Sequence, residues 1–180
     1  KARILKEIGL SYVGVSLDGV EETNDKFRGV KGAYKMALEG IRNCREEGIK
    51  VGLRFTINKR NAFEIEPIFR LLEAEQIPRV CFYHLVYAGR GSNLIDEALP
   101  FEDSRKIVDQ IIDLTSDLHQ RGLPKEVLTV DNHCDGPYVY LRMVRENHPR
   151  AADVFQLLQY NGGNNSGIGI GCVSWDGTVH

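Results

Sequence analysis

Residues 51–57 read Val-Gly-Leu-Arg-Phe-Thr-Ile. Side chains alternate across a strand, so one face would carry Val51, Leu53, Phe55 and Ile57 and the other Gly52, Arg54 and Thr56. Residues 12–18 divide in the same way. Val13, Val15 and Leu17 fall on one face; Tyr12, Gly14, Ser16 and Asp18 fall on the other. Strands of a parallel sheet covered by helices on both sides are apolar on both faces. Here one face is apolar and the other holds an Arg, a Ser and an Asp near the carboxyl ends. That division predicts a sheet packed on helices along one side and lining a wet, ligand-filled interior along the other, as in a barrel or crescent. Ligands of parallel α/β folds gather at the carboxyl ends of the strands. The other reading is a buried Arg–Asp pair that only ties the sheet together, although burying such a pair without a ligand is seldom favourable.

The rest of the first half supports alternating strands and helices. Residues 33–47 place Ala33, Met36, Ala37, Ile41 and Cys44 on one helical stripe closed by Gly48. Asn61 can cap a helix over residues 62–75, with Ile65, Ile68, Phe69 and Leu72 on one face. Residues 80–87 make a third strand. Strands separated by helices of this length predict βαβ units with right-handed connections. Further on, residues 101–121 predict a long helix stopped by Gly122, and residues 127–130 a short strand. Asp135 can cap a helix starting at Gly136-Pro137, and Pro149 opens another that runs to about Tyr160.

Composition narrows the classes of function. The chain has 180 residues, 42% apolar and 27% charged, which fits one globular domain and excludes collagen-like and disordered chains. Lys and Arg total 23 against 25 Asp and Glu, a net charge of −2. Such a chain has no field for gathering nucleic acid or anionic lipid. No run approaches the ~18 apolar residues of a membrane span. The four cysteines, at 44, 81, 134 and 172, form no C-x-x-C pair, which argues against zinc-knuckle and thioredoxin-like sites. Scattered single thiols suit a reducing, cytoplasmic setting. Residues 1–8 read as the end of a helix and Trp175–His180 as a hairpin turn cut short, so the expectation is an internal fragment of a longer protein.

Three loops carry polar chemistry with more than one reading. Gly167-Ile-Gly-Ile-Gly171 has the wrong spacing for a phosphate loop and suits backbone packed against something bulky. Asp131-Asn132-His133-Cys134-Asp135 is either a substrate-facing loop, a metal site or a helix cap; neighbouring side chains diverge too much for a good tetrahedral site. Arg90, between two glycines after the third strand, suits bidentate carboxylate or phosphate binding, or is simply solvated.

Tyr12-Val-Gly-Val-Ser-Leu-Asp-Gly19, followed by Phe27-Arg-Gly-Val-Lys-Gly32, resembles the fourth-strand region of radical S-adenosylmethionine (SAM) enzymes. Residues 53–58 are similar to their fifth strand and residues 80–91 to their sixth. The segments Phe82–Gly91, Val130–His133, Asn161–Asn164 and Gly169–Cys172 narrow the resemblance to the heme d1 biosynthesis and didecarboxysiroheme deacetylase group. It implies an α/β fold: part of a partial (β/α)6 barrel over residues 1–122, a helical connecting region over 123–160, and the start of a C-terminal, SPASM-like auxiliary-cluster domain over 161–180. It also implies a reduced 4Fe–4S cluster that cleaves SAM to a 5′-deoxyadenosyl radical. Hydrogen abstraction would then remove or modify an acetate or propionate side chain of an iron tetrapyrrole, with an external electron donor.

Carried onto this sequence, the resemblance places Ser16 and Asp18 at the SAM ribose and amino-acid portion, Arg54 at the SAM carboxylate, His84 and Val86 inward with Val86 near the adenine, and Cys172 at the first auxiliary-cluster ligand. Arg90, Asp131, Asn132 and His133 are weaker substrate candidates. Glycines at 167, 169 and 171 would leave room beside Cys172, and Asp176-Gly177 would turn the chain back. Cys44 and Cys81 read as core residues, and Cys134 is left open. The family's C-x-x-x-C-x-x-C motif and its glycine-rich SAM motif are absent, so these 180 residues alone would not hold the catalytic cluster. A cluster-less barrel protein that binds a small anion through Arg54 and Arg90 is the competing expectation.

Overall fold

The computed structural model describes residues 1–163 and 169–179. Two compact units divide the chain, Lys1–Asp131 and Asn132–His180. The first begins with helix α1 (Ala2–Glu7), then β1 (Tyr12–Ser16), α2 (Glu22–Arg28), α3 (Ala33–Glu46), β2 (Lys50–Thr56), a 3-10 turn (Ala62–Glu64), α4 (Ile65–Ala74) and β3 (Arg79–Tyr83). Short 3-10 turns between Gly89 and Glu97 lead to α5 (Phe101–Gln120) and β4 (Glu126–Val130). The four strands form one wholly parallel sheet in chain order.

The alternation expected of the strands is the alternation seen. Val51, Leu53, Phe55, Val80 and Phe82 are all buried, in one cluster with Leu38 and Ile41 of α3, Ile65, Ile68 and Leu72 of α4, and Ile111 and Leu118 of α5. The Phe82 ring stacks on Phe69 at 5.7 Å and meets Phe55 edge-on at 5.8 Å. The other face of the sheet is exposed or half-buried along all four strands except at Gly52, which is buried.

Several boundaries differ from expectation. β3 stops at Tyr83 rather than 87, because its partner strand ends at Val130; the last rung runs from the His84 amide to the Val130 carbonyl at 3.0 Å. β4 pairs with β3 along its whole length, so the first unit runs to Asp131, past the expected limit at 122. Asn61 does not cap the following helix. Its side chain is fully buried, accepting from the Asn58 amide at 2.9 Å and donating to the carbonyls of Thr56 and Asp18.

The second unit holds α6 (Asp135–Arg145) and α7 (Ala151–Asn161), with the Tyr140 and Phe155 rings 5.1 Å apart. A hairpin follows: Val173 bridges Val179 antiparallel, and Gly177, at φ 86°, makes the expected turn. Gly167 lies outside the described residues, so the expectation for the full Gly167–Gly171 run does too. Among the described residues no helix is long and apolar enough to cross a membrane.

Candidate functional site

Parallel register sets the site. Ser16 pairs with Arg54, Arg54 with Cys81, and Cys81 with Leu128, so these four residues form one row across the face that the helices leave bare. Thr56, Tyr83 and Val130 form the row at the carboxyl ends. Glycines at 14 and 52 fill the row on the amino side of Arg54.

Both glycines make room for side chains lying flat on the sheet. A Cβ on Gly14 would sit 3.0 Å from Cδ of Arg54, and one on Gly52 would sit 2.3 Å from Oη of Tyr12. Tyr12 therefore lies across β2. The Arg79 guanidinium covers the Tyr12 ring at 5.2 Å and forms an ion pair with Glu126. That ion pair and Tyr12 hold the Arg79 guanidinium firmly in its charged form. Together these side chains fill the amino end of the bare face.

The Arg54 side chain is exposed and projects from this face, away from the helices. Its Nε donates to Oη of Tyr83 at 3.1 Å, and its guanidinium carbon stands 5.0 Å from the Tyr83 ring centre. The bond uses Nε; among the described residues no hydrogen bond takes the Nη pair, whose edge has the geometry that suits a carboxylate. Ser16, also exposed, adds a hydroxyl in the same row. Cys81 belongs to this row and not to the core, which corrects its expected place; Cys44 is buried as expected. Burial pushes the Cys81 thiol upward, against the pull of Arg79 and Arg54.

Asp18 does not share a strand face with Ser16, because β1 ends at Ser16. The Asp18 carboxylate is buried and pairs with Nε of Arg28 at 2.6 Å, while its amide donates to Oδ1 of Asn24 at 2.9 Å. Burial raises the Asp18 carboxyl above the usual aspartate range, and Arg28 opposes this. Asp18 is thus the anchor of a buried polar bracket formed with Asn24 and Asn61, beside the exposed Ser16. Nor does His84 share the face of Arg54. It lines a small cavity of about 70 Å³ with Ile57, Leu99, Ser104 and Ile107, toward α5. Val86 lies beyond β3 and is exposed. Tyr83 takes the inward place that was expected of His84. Strand parity could have shown this, since Tyr83 lies two residues from Cys81 and three from Val80.

Arg90 falls within the 3-10 turns, and its side chain lies outside the described residues. Asp131 takes a left-handed backbone at φ 68°, which Asp tolerates better than most residues. Asn132 Oδ1 accepts from the Cys134 amide at 3.1 Å, and its Nδ2 donates to Asp135 at 2.8 Å. The loop therefore starts α6 through Asn132 rather than Asp135, with His133 and Cys134 exposed. Cys172 is an exposed free thiol just before the Val173–Val179 bridge. Among the described residues no three His, Cys, Asp or Glu side chains converge as a metal site.

Residues 1–72 match the radical SAM superfamily. The chain is 68% identical to the Fe-coproporphyrin III synthase of Methanosarcina barkeri over 99% of its own length and 45% of that protein's. It is 40% identical to the pre-heme d1 synthase of Dinoroseobacter shibae over 100% of its length and 45% of the other's. The chain thus spans less than half the length of these curated relatives. Among solved structures, the fold matches anSMEcpe with bound AdoMet at a TM-score of 0.58, with 14% identity over 70% of this chain and 35% of that one. Streptococcus suis SuiB matches at 0.55, with 17% identity over 72% and 28%.

Proposed function

Because the chain belongs to the radical SAM superfamily, we propose that it forms part of an enzyme that removes or modifies acetate or propionate side chains of an iron tetrapyrrole in heme or heme d1 biosynthesis. The family implies SAM and a 4Fe–4S cluster. The substrate class rests on relatives named for coproporphyrin and pre-heme d1 synthesis. The role in SAM binding rests on one observation: Arg54 stands on the bare face with its Nη pair uncommitted among the described residues and the Ser16 hydroxyl in its row.

The donor set fits SAM. Arg54 would take the carboxylate and Ser16 a hydroxyl, while Asp18, through its buried bracket, holds the end of β1 in place beneath them. SAM supplies, when bound, the 5′-deoxyadenosyl group that radical SAM enzymes use to abstract hydrogen. The residues' own work is to grip the carboxylate, orient the ribose and keep the amino end of the face closed through Tyr12 and Arg79. The described residues do not fit a 4Fe–4S cluster, since no three thiols meet. For Cys172 we assign a ligand role toward an auxiliary iron–sulfur cluster, supported by its exposed thiol at the base of a hairpin. An external electron donor completes the scheme.

Calorimetric titration of SAM into the full-length protein tests the core of this reading. Arg54→Ala should weaken binding by about 1.5–3 kcal/mol, as expected for a hydrogen bond to a charged group. Undiminished affinity would overturn it. Iron and sulfide content measured before and after Cys172→Ala, on protein reconstituted without oxygen, tests the cluster assignment; an unchanged content would return Cys172 to an ordinary surface thiol.

A further inference from the structure

We propose that Tyr83 is a positioning residue, which locks the Arg54 guanidinium in the orientation that receives a ligand carboxylate. An exposed Arg side chain has rotamer entropy to lose on binding. Anything that fixes it beforehand returns part of that cost as affinity. Arg54 is held from two neighbouring strands. From β3, the Tyr83 hydroxyl accepts from Nε at 3.1 Å and the ring lies under the guanidinium at 5.0 Å. From β1, Gly14 lets the Arg54 stem lie flat, since a Cβ there would come within 3.0 Å of Cδ.

The two contacts divide the guanidinium's donors. Nε is spent on Tyr83, and the Nη pair, the edge that suits bidentate carboxylate binding, is left over. Register makes the arrangement available: Tyr83 pairs with Thr56, one row beyond Arg54 on the same face. Neither side chain belongs to the buried core, so the pair contributes little to folding. Its geometry makes sense as preparation of a binding group.

The inference rests on the reading of Arg54 as the SAM carboxylate's partner, and the test separates the two. The probes are SAM and decarboxylated SAM, titrated calorimetrically into the full-length protein. Tyr83→Phe keeps the ring and removes the acceptor. It should weaken SAM about three- to tenfold, the worth of one hydrogen bond, and leave decarboxylated SAM unchanged. In an Arg54→Ala background it should add no further loss. Gly14→Ala, which displaces the Arg54 stem from the other side, should also weaken SAM selectively. An equal loss for both probes, an additive loss in the Arg54→Ala background, or undiminished SAM affinity in Tyr83→Phe would overturn the proposal. If Arg54→Ala itself leaves SAM binding intact, the carboxylate reading fails and this one with it. If Arg54→Ala weakens SAM and Tyr83→Phe does not, only the positioning role fails.

Discussion

Asp18 and Asp25 lie seven residues apart and are shifted from the ordinary aspartate value in opposite directions. Burial raises the Asp18 carboxyl, with Arg28 offsetting part of the effect. A raised carboxyl contributes its stability when protonated, below the ordinary aspartate value of about 3.9, and that contribution is lost as pH rises through the raised value. Asp18→Asn should therefore melt no lower than the parent at pH 7, and its advantage should shrink as pH falls toward 4. Thermal melts across that range decide it; a variant that loses ground as pH rises would contradict the burial argument. Asp25 is held low by the amides of Tyr34 and Gly32, which it accepts at the start of α3. Its contribution is present above about pH 3.9 and lost as pH falls through the lowered value. Asp25→Asn should thus cost stability at pH 6, with the gap from the parent closing under acid. Circular-dichroism titration of both proteins measures that closure.

At the level of elements, β2 and β3 carry both the packing and the site. Phe82 sits between Phe69 and Phe55 with no exposure, so Phe82→Ala should cost about 3–5 kcal/mol in denaturant unfolding. Gly52→Ala drives a Cβ into Tyr12 and should cost about 1–3 kcal/mol, with Tyr12 displaced from the sheet. A Gly52→Ala protein as stable as the parent would show that Tyr12 is free to leave. The two-faced character of β1 and β2 was legible in sequence because Val51, Leu53 and Phe55 alternate with Gly52 and Arg54 without a break. The place where β3 ends was not. Val80–Tyr87 has no Gly or Pro to stop it; β3 ends where its partner β4 ends at Val130, with Asp131 in a left-handed backbone at φ 68°. An end set by pairing with a distant strand leaves no local mark. His84 was expected inward from the resemblance, whereas parity puts it with Val80 and Phe82 and puts Tyr83 with Cys81 and Arg54. Asn61 failed as a cap because its side chain turns back to Asn58 and Thr56 and across to Asp18, 43 positions away, rather than forward to the helix amides.

Across the whole chain, the two units differ in how they are held. The last buried apolar side chain among the described residues is Leu118, so the described residues of the second unit include no buried apolar core. Amide hydrogen exchange should accordingly show β2 and β3 protected by orders of magnitude over α6 and α7. Comparable protection would mean that the second unit has a source of stability beyond its Tyr140–Phe155 contact. The sheet itself divides its labour by face. The face against α3, α4 and α5 carries the fold, while Ser16, Arg54, Cys81 and Tyr83 on the bare face carry little of it. Substitutions at Ser16, Arg54, Cys81 and Tyr83 are therefore nearly neutral for folding, unlike those at Gly52 beneath Tyr12. Selection can change what that face binds without first acquiring compensating mutations in the core, so a lineage built on this sheet can diverge in chemistry faster than in architecture.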